Sequence, residues 1–140
     1  MRPSVEQTMM AMAHVAAQRS KCTRMKVGAV VTDKHDRVLS TGYNGEPASY
    51  EGPRCPRETA AVRCPNYSDC IAVHAEVNAV IYTNGCRDGT LYVTNSPCFD
   101  CARIIAAAGI ALVVTEDEQN RGGNDFLASC GIDVRRPKAD

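Results

Sequence analysis

His74 and Glu76 stand two residues apart, and Pro97-Cys98-Phe99-Asp100-Cys101 follows them. No other feature limits the fold as much. Val73, Val77, Val80 and Ile81 recur at helical spacing over 73–84, where Gly85 can end the helix. Cys98 opens a second helical run over 98–108, closed by Gly109, with Pro97 in a first-turn setting. The strand ends before both helices would bring the two helix starts together, and only then can His74, Cys98 and Cys101 meet. At a spacing of three, both thiolates face one point in a first helical turn. The exposed N–H groups there favour the thiolate form. One imidazole and two thiolates suit zinc and leave one tetrahedral position open, the mark of a catalytic rather than a structural centre.

Glu76 is the odd member of the set. As a fourth ligand it would close the centre. As a non-ligand at a helix start it can lean over the metal, take a proton from an attacking water and pass it to a ring nitrogen and a leaving amine. H-x-E…P-C-x-x-C is the signature of zinc nucleobase deaminases, in which the glutamate carries protons and binds no metal. A lone C-x-x-C also occurs in structural zinc sites and thiol redox motifs, but neither employs both His74 and Glu76.

The rest of the chain supplies the scaffold. Ser4 can cap a helix over 4–20 whose stripe is Val5, Met9, Met12, Ala13 and Ala16. A hairpin is predicted over 27–43, with strands 27–32 and 37–43 around Asp33-Lys34-His35-Asp36. Residues 44–69 form a long loop rich in Gly, Pro, Asn, Ser and Cys, too long to be an idle connection. Strands are expected over 90–94 and 110–115, joined by the 98–108 helix as a parallel β-α-β unit. A short helix over 123–130, a strand over 132–135 and a loose tail complete the chain. The predicted fold is α/β: one domain over 1–140, three layers, with a mixed five-stranded sheet covered by helices.

Composition excludes several classes. Of the 140 residues, 44% are hydrophobic and 23% charged, which is ordinary globular usage. Sixteen basic residues balance sixteen acidic ones, so no polybasic surface for long nucleic acid is expected. A small anionic substrate needs only one arginine or a helix start. MRPSVEQTMM lacks the apolar core of a secretory signal, and no run of about 18 apolar residues suggests a membrane span, so a cytoplasmic location is expected. Eight cysteines without an export signal favour metal or chemistry over disulfides.

His-Ala-Glu, Pro-Cys-x-x-Cys, SKCTRMKVGAVV and STGYNGEP together resemble the deoxycytidylate deaminases of the cytidine deaminase superfamily, from about Thr8 to about Asp133. The more specific part is Cys22-Thr-Arg24-Met-Lys-Val27-Gly28 with Gly42-Tyr43-Asn44-Gly45. The resemblance implies hydrolysis of dCMP to dUMP for thymidylate synthesis, zinc held by His74, Cys98 and Cys101, and catalysis by Glu76. It also implies a homo-oligomer, often a hexamer, with activation by dCTP and Mg2+ and inhibition by dTTP. An arginine shortly after GYNG-x-P is common in the family. Here Ala48-Ser49-Tyr50 follow, and Arg54 is the next basic residue, so the phosphate contact has no assigned residue.

Several residues carry two readings. Asn44 offers its amide to a sugar hydroxyl or the base, with Gly42 and Gly45 admitting a nucleotide; alternatively Asn44-Gly45 is a type I′ turn. Gly28 serves close packing. Arg24 contacts a phosphate or is a surface cation. The Ser96 carbonyl faces the base amino group, Ala75 belongs with the substrate contacts, and Tyr67 is an aromatic wall or a core residue. One face of the strand bearing Tyr92 and Thr94 is a candidate pocket lining. Cys22, Cys55, Cys64 and Cys70 hold a second, structural zinc or are reduced thiols. Cys86 and Cys130 read as core. Competing functions are deamination of dCTP or a 5-modified dCMP, a transfer-RNA adenosine deaminase, and a non-catalytic zinc-stabilised nucleotide-binding regulator.

Overall fold

The computed structural model describes residues 1–52, 70–117 and 119–140. Cys55, Cys64, Tyr67 and Arg54 lie outside them. Helix α1 is Val5–Ala17, followed by strands β1 Gly28–Thr32 and β2 Val38–Tyr43. Helix α2 is Ala75–Ile81, β3 is Thr90–Val93, α3 is Phe99–Ala107 and β4 is Leu112–Thr115. Helix α4 is Asn124–Ser129 and β5 is Asp133–Arg135. The sheet order is β2-β1-β3-β4-β5. β1 is antiparallel to β2 and β3, while β3, β4 and β5 run parallel, so the sheet is mixed as predicted.

The two sheet faces have separate cores. Val30, Tyr92 and Val114 pack with Met10 and Ala13 of α1. Val31, Leu91, Val93 and Val113 pack with residues of α2, α3 and α4, among them Ala79, Ile105 and Leu127. Alternation along each strand feeds both layers. Glycines let helices lie close. A Cβ on Gly28 would sit 1.8 Å from the Ala13 carbonyl oxygen of α1, and one on Gly42 would sit 2.4 Å from that of Ala75. Gly28 therefore serves packing, and Gly42 faces α2 rather than a nucleotide.

Other expectations need correction. α1 buries Met10, Ala13 and Ala17, while Val5 and Met12 are exposed. The alanine-rich helix made the stripe ambiguous by one position. The predicted 73–84 helix shortens to Ala75–Ile81 because His74 is extended and caps it, and Ile81 points outward. Tyr92 faces α1, so that strand face lines core. Cys86 is buried as expected, but Cys130 is exposed. The C-terminal residues are docked: the Ser4 hydroxyl donates to the Lys138 carbonyl, and Arg135 pairs with Glu6.

Candidate active site

The site assembles from two helix caps. His74 is the N-cap of α2 and Cys98 the N-cap of α3, both in extended backbone geometry. Neither side chain caps its own helix, which leaves both ligands free to face each other. β3 delivers Cys98, as its position at a strand end predicts. Among the described residues, no strand leads directly into α2. Instead, Val73 forms an isolated antiparallel bridge with Gly45, through N–H···O bonds of 2.8 and 3.1 Å, just beyond β2. Gly45 is thus a backbone clamp on the His74 segment, and neither Asn44 nor Gly45 has the positive φ of a type I′ turn.

The ligand atoms of His74, Cys98 and Cys101 all lie within 4.8 Å of one another, the one such cluster among the described residues. His74 Nδ1 is 3.1 Å from Cys101 Sγ and 3.6 Å from Cys98 Sγ. Tetrahedral zinc, with ordinary Zn–N and Zn–S bonds, sets nitrogen and sulfur about 3.6 Å apart. The donor set and its spacing therefore fit zinc, with a slight opening at Cys101. His74 is exposed, Cys98 half-buried and Cys101 buried, so the centre has an open side.

Glu76 occupies the second position of α2 and is 4% exposed. Burial raises its carboxyl above the ordinary carboxylate range, against the pull of its own backbone and of His74. The hydrogen bond with Cys98, opposed by burial, raises the His74 imidazole. Hydrogen bonds from Cys101 and His74 draw the Cys98 thiol down to about 4. Cys101 moves the other way, because it donates to Cys98 and is buried. Of the three donor side chains, Cys98 is the one whose thiolate form is favoured.

The family model for the cytidine and deoxycytidylate deaminase zinc-binding region matches residues 3–116. The chain belongs to this family. Deoxycytidylate deaminase of Mycobacterium phage D29 is 46% identical over 127 residues, covering 84% of this chain and 98% of the phage protein. The crystal structure of dCMP deaminase from cyanophage S-TIM5, in complex with dCMP and dUMP, aligns with a TM-score of 0.80 at 31% identity. That alignment covers 97% of this chain and 98% of that chain. A tRNA:A34 deaminase aligns with a TM-score of 0.62 at 22% identity, over 95% of this chain and 99% of that one; this likeness concerns the fold alone.

Within this zinc deaminase, the remaining predicted residues fall in several places. Ala75 is fully buried between His74 and Glu76. Ser96 is buried one turn ahead of the ligand pair, its hydroxyl donating to the Gln119 carbonyl. The Asn44 amide braces the chain before β1: its oxygen accepts from the Val27 N–H at 2.9 Å and its nitrogen donates to the Met25 carbonyl at 2.8 Å. Arg24 lies in the segment Ser20–Lys26 that lines a cavity of about 430 Å³. Asn95 Nδ2 contacts Met25 Sδ at 2.7 Å, tying that segment to the turn before Cys98. Cys22 is half-buried and Cys70 exposed, and neither belongs to a metal-type cluster among the described residues. Sequence reasoning missed residues 119–123, which pack on the Cys98 turn. The Arg121-Gly122-Gly123-Asn124 run was the available signal, since paired glycines mark close backbone approach.

Proposed function

We propose that this chain, as a single deaminase domain over residues 1–140, hydrolyses dCMP to dUMP and ammonia at the His74, Cys98 and Cys101 centre, with Glu76 as proton carrier. One observation carries the reading: a glutamate 4% exposed, two residues beyond His74 and in side-chain contact with Cys101 of the metal-type cluster. A buried carboxylate is costly without a partner, and a non-catalytic regulator has no use for one there. The chemistry a zinc ion supplies at these three side chains is the acidification of water to near neutrality. Glu76 takes the proton released as the water oxygen bonds to C4 of the cytosine ring. It returns that proton to the ring nitrogen and then carries the proton of the new C4 hydroxyl to the amine, which leaves as ammonia as the C–N bond breaks and the C4 carbonyl forms. Water and dCMP thus become dUMP and ammonia with no proton unaccounted for.

The substrate class rests on the relatives named above and on the balanced charge of the chain, which does not suit a long polyanion. Arg24 is assigned to the phosphate, and the Ser96 carbonyl to the base amino group. Beyond its bonds to Val27 and Met25 among the described residues, the Asn44 amide has a lone pair and an N–H for the sugar hydroxyl or base. Ala75 and Tyr67 complete the lining. The reading extends to dUMP supply for thymidylate synthesis in the cytoplasm, to control by dCTP with Mg2+ and by dTTP, and to a homo-oligomer, in this family often a hexamer. Exposed Ile81 and Tyr82 at the end of α2, and Ile104 on α3, support the oligomer. A structural zinc on Cys22, Cys55, Cys64 and Cys70 predicts about two zinc ions per chain, falling to about one in Cys55→Ser.

The test compares kcat/KM for cytidine, deoxycytidine, dCMP, dCTP, 5-methyl-dCMP and a transfer-RNA stem-loop, read as ammonia release. A strong preference for dCMP over deoxycytidine is expected. Equal rates on those two, or activity confined to dCTP, the 5-methyl compound or the stem-loop, would overturn the substrate assignment.

A further inference from the structure

Cys98 is held from two sides. On one side it starts α3, with Cys101 a turn further on. On the other, its backbone bridges both Arg121 and Gly122, in a segment that belongs to neither β4 nor α4. Gly123 comes closest. A Cβ there would lie 2.5 Å from the Pro97 carbonyl oxygen and 2.8 Å from that of Cys98, so no side chain fits. Gly122 has φ +99, a backbone region that other residues rarely adopt, and its Cβ position faces Phe99. Two residues earlier in each segment, buried Ser96 donates its hydroxyl to the Gln119 carbonyl.

This contact segment is itself braced. Asp117 accepts from the Gln119 N–H at 2.8 Å and from Arg121 Nη2 at 2.8 Å. The Asn120 side-chain oxygen accepts from the Gly122 N–H at 3.0 Å, and its nitrogen donates to Asp125 at 3.1 Å. Phe126 of α4 meets Phe99 of α3 edge to face, with centroids 5.4 Å apart. These short-range bonds hold the backbone of 119–123 in one shape against the turn that bears the ligand.

We infer that residues 119–123, through Gly122, Gly123 and the Ser96–Gln119 bond, position the Cys98 thiolate for the metal; this rests on the zinc reading of the site. A ligand at an N-cap has its backbone fixed by the helix on one side only. The 119–123 segment supplies the other side, so that Cys98 Sγ keeps its distance from His74 Nδ1. Residues that orient metal ligands from behind typically change metal affinity about 10–100-fold when altered. Ser96 and Gly123 are positioning residues and touch no reacting atom in this role.

The test measures zinc affinity by chelator competition, and the visible absorption of the cobalt-substituted protein, for the parent, Gly123→Ala, Ser96→Ala and Gly89→Ala. Gly89 is the control at the opposite end of β3, where a Cβ would sit 2.3 Å from the Thr32 carbonyl oxygen. Gly123→Ala and Ser96→Ala are expected to weaken zinc about 10–100-fold and to alter the cobalt spectrum. Gly89→Ala is expected to lower thermal stability with parent zinc affinity and spectrum. Parent affinity and spectrum in Ser96→Ala, and in Gly123→Ala wherever it folds, would overturn the inference. Equal weakening in Gly89→Ala would also overturn it, as mere destabilisation. A parent whose zinc survives Cys98→Ala would overturn the metal reading itself, whereas failure of the positioning role alone leaves that zinc in place.

Discussion

Two glutamates occupy the same local position in this protein. Glu6 is the second residue of α1 and Glu76 the second residue of α2, one turn from a helix N-terminus that favours negative charge. Their surroundings set them apart. Glu6 accepts both Arg135 guanidinium nitrogens at 2.7 Å and the Lys138 N–H at 2.9 Å. Its carboxyl is held below the usual range, chiefly by Arg135. Glu76 is buried, and burial drives its carboxyl the other way. Local helix position is shared, so it cannot be what distinguishes the Glu6 clasp from the proton carrier proposed at Glu76. The surroundings decide: a guanidinium favours the Glu6 anion, whereas burial beside His74, Cys98 and Cys101 raises the Glu76 carboxyl.

The comparison breaks most severely when Glu76 loses the metal beside it. Cys101→Ala is expected to abolish both catalytic zinc and dCMP turnover, checked by elemental analysis and ammonia release, because two ligands cannot complete a three-ligand centre. Glu6→Gln should do the opposite. It removes a bidentate, partly buried pair and is expected to cost about 1–2 kcal/mol of stability, lowering Tm by about 3–8 °C, with zinc content and turnover unchanged. Calorimetry and an activity assay on one preparation check this.

The pH dependence of the clasp sharpens the contrast. The Glu6 carboxyl lies lower in the folded chain than its ordinary 4.5. Its contribution is therefore complete above about 4.5 and is lost as pH falls through the lower folded value. Thermal scans from neutral to acid pH should show a steeper stability loss for the parent than for Glu6→Gln. A parallel decline in the two would contradict the ion pair. The smallest effect is expected from Ser4→Ala. Ser4 and Gln7 form a reciprocal capping box, and the Ser4 hydroxyl also donates to Lys138. Its loss should cost about 1 kcal/mol, read as a small drop in Tm.

Much of this architecture is legible in the sequence because hydrophobic alternation and breakers coincide. Val-rich runs mark β1 and β4, Leu91-Tyr92-Val93 marks β3, and Gly85 and Gly109 follow α2 and α3 with positive φ. Ser4 caps α1 as read. The ligand trio is legible because one of only three histidines precedes a C-x-x-C pair at metal spacing. Long-range pairing was hidden. Glu6 and Arg135 are far apart in sequence, and no local pattern joins them, so the C-terminal residues read as loose. Met10 lost to Met9 and Met12 because methionine and alanine alternate too closely for one stripe to stand out. The bridge from Cys98 to Arg121 and Gly122 is likewise a tertiary contact between two loops, and only the double glycine hinted at it.

The central claim is that Glu76 carries protons beside the metal without binding it. The most direct measurement takes Glu76→Gln, which keeps shape and removes the base, and determines zinc per chain and dCMP turnover in one preparation. The account predicts parent zinc content with turnover lowered at least about 10²–10⁴-fold. Near-parent turnover, or loss of the catalytic zinc from a folded chain, would contradict it.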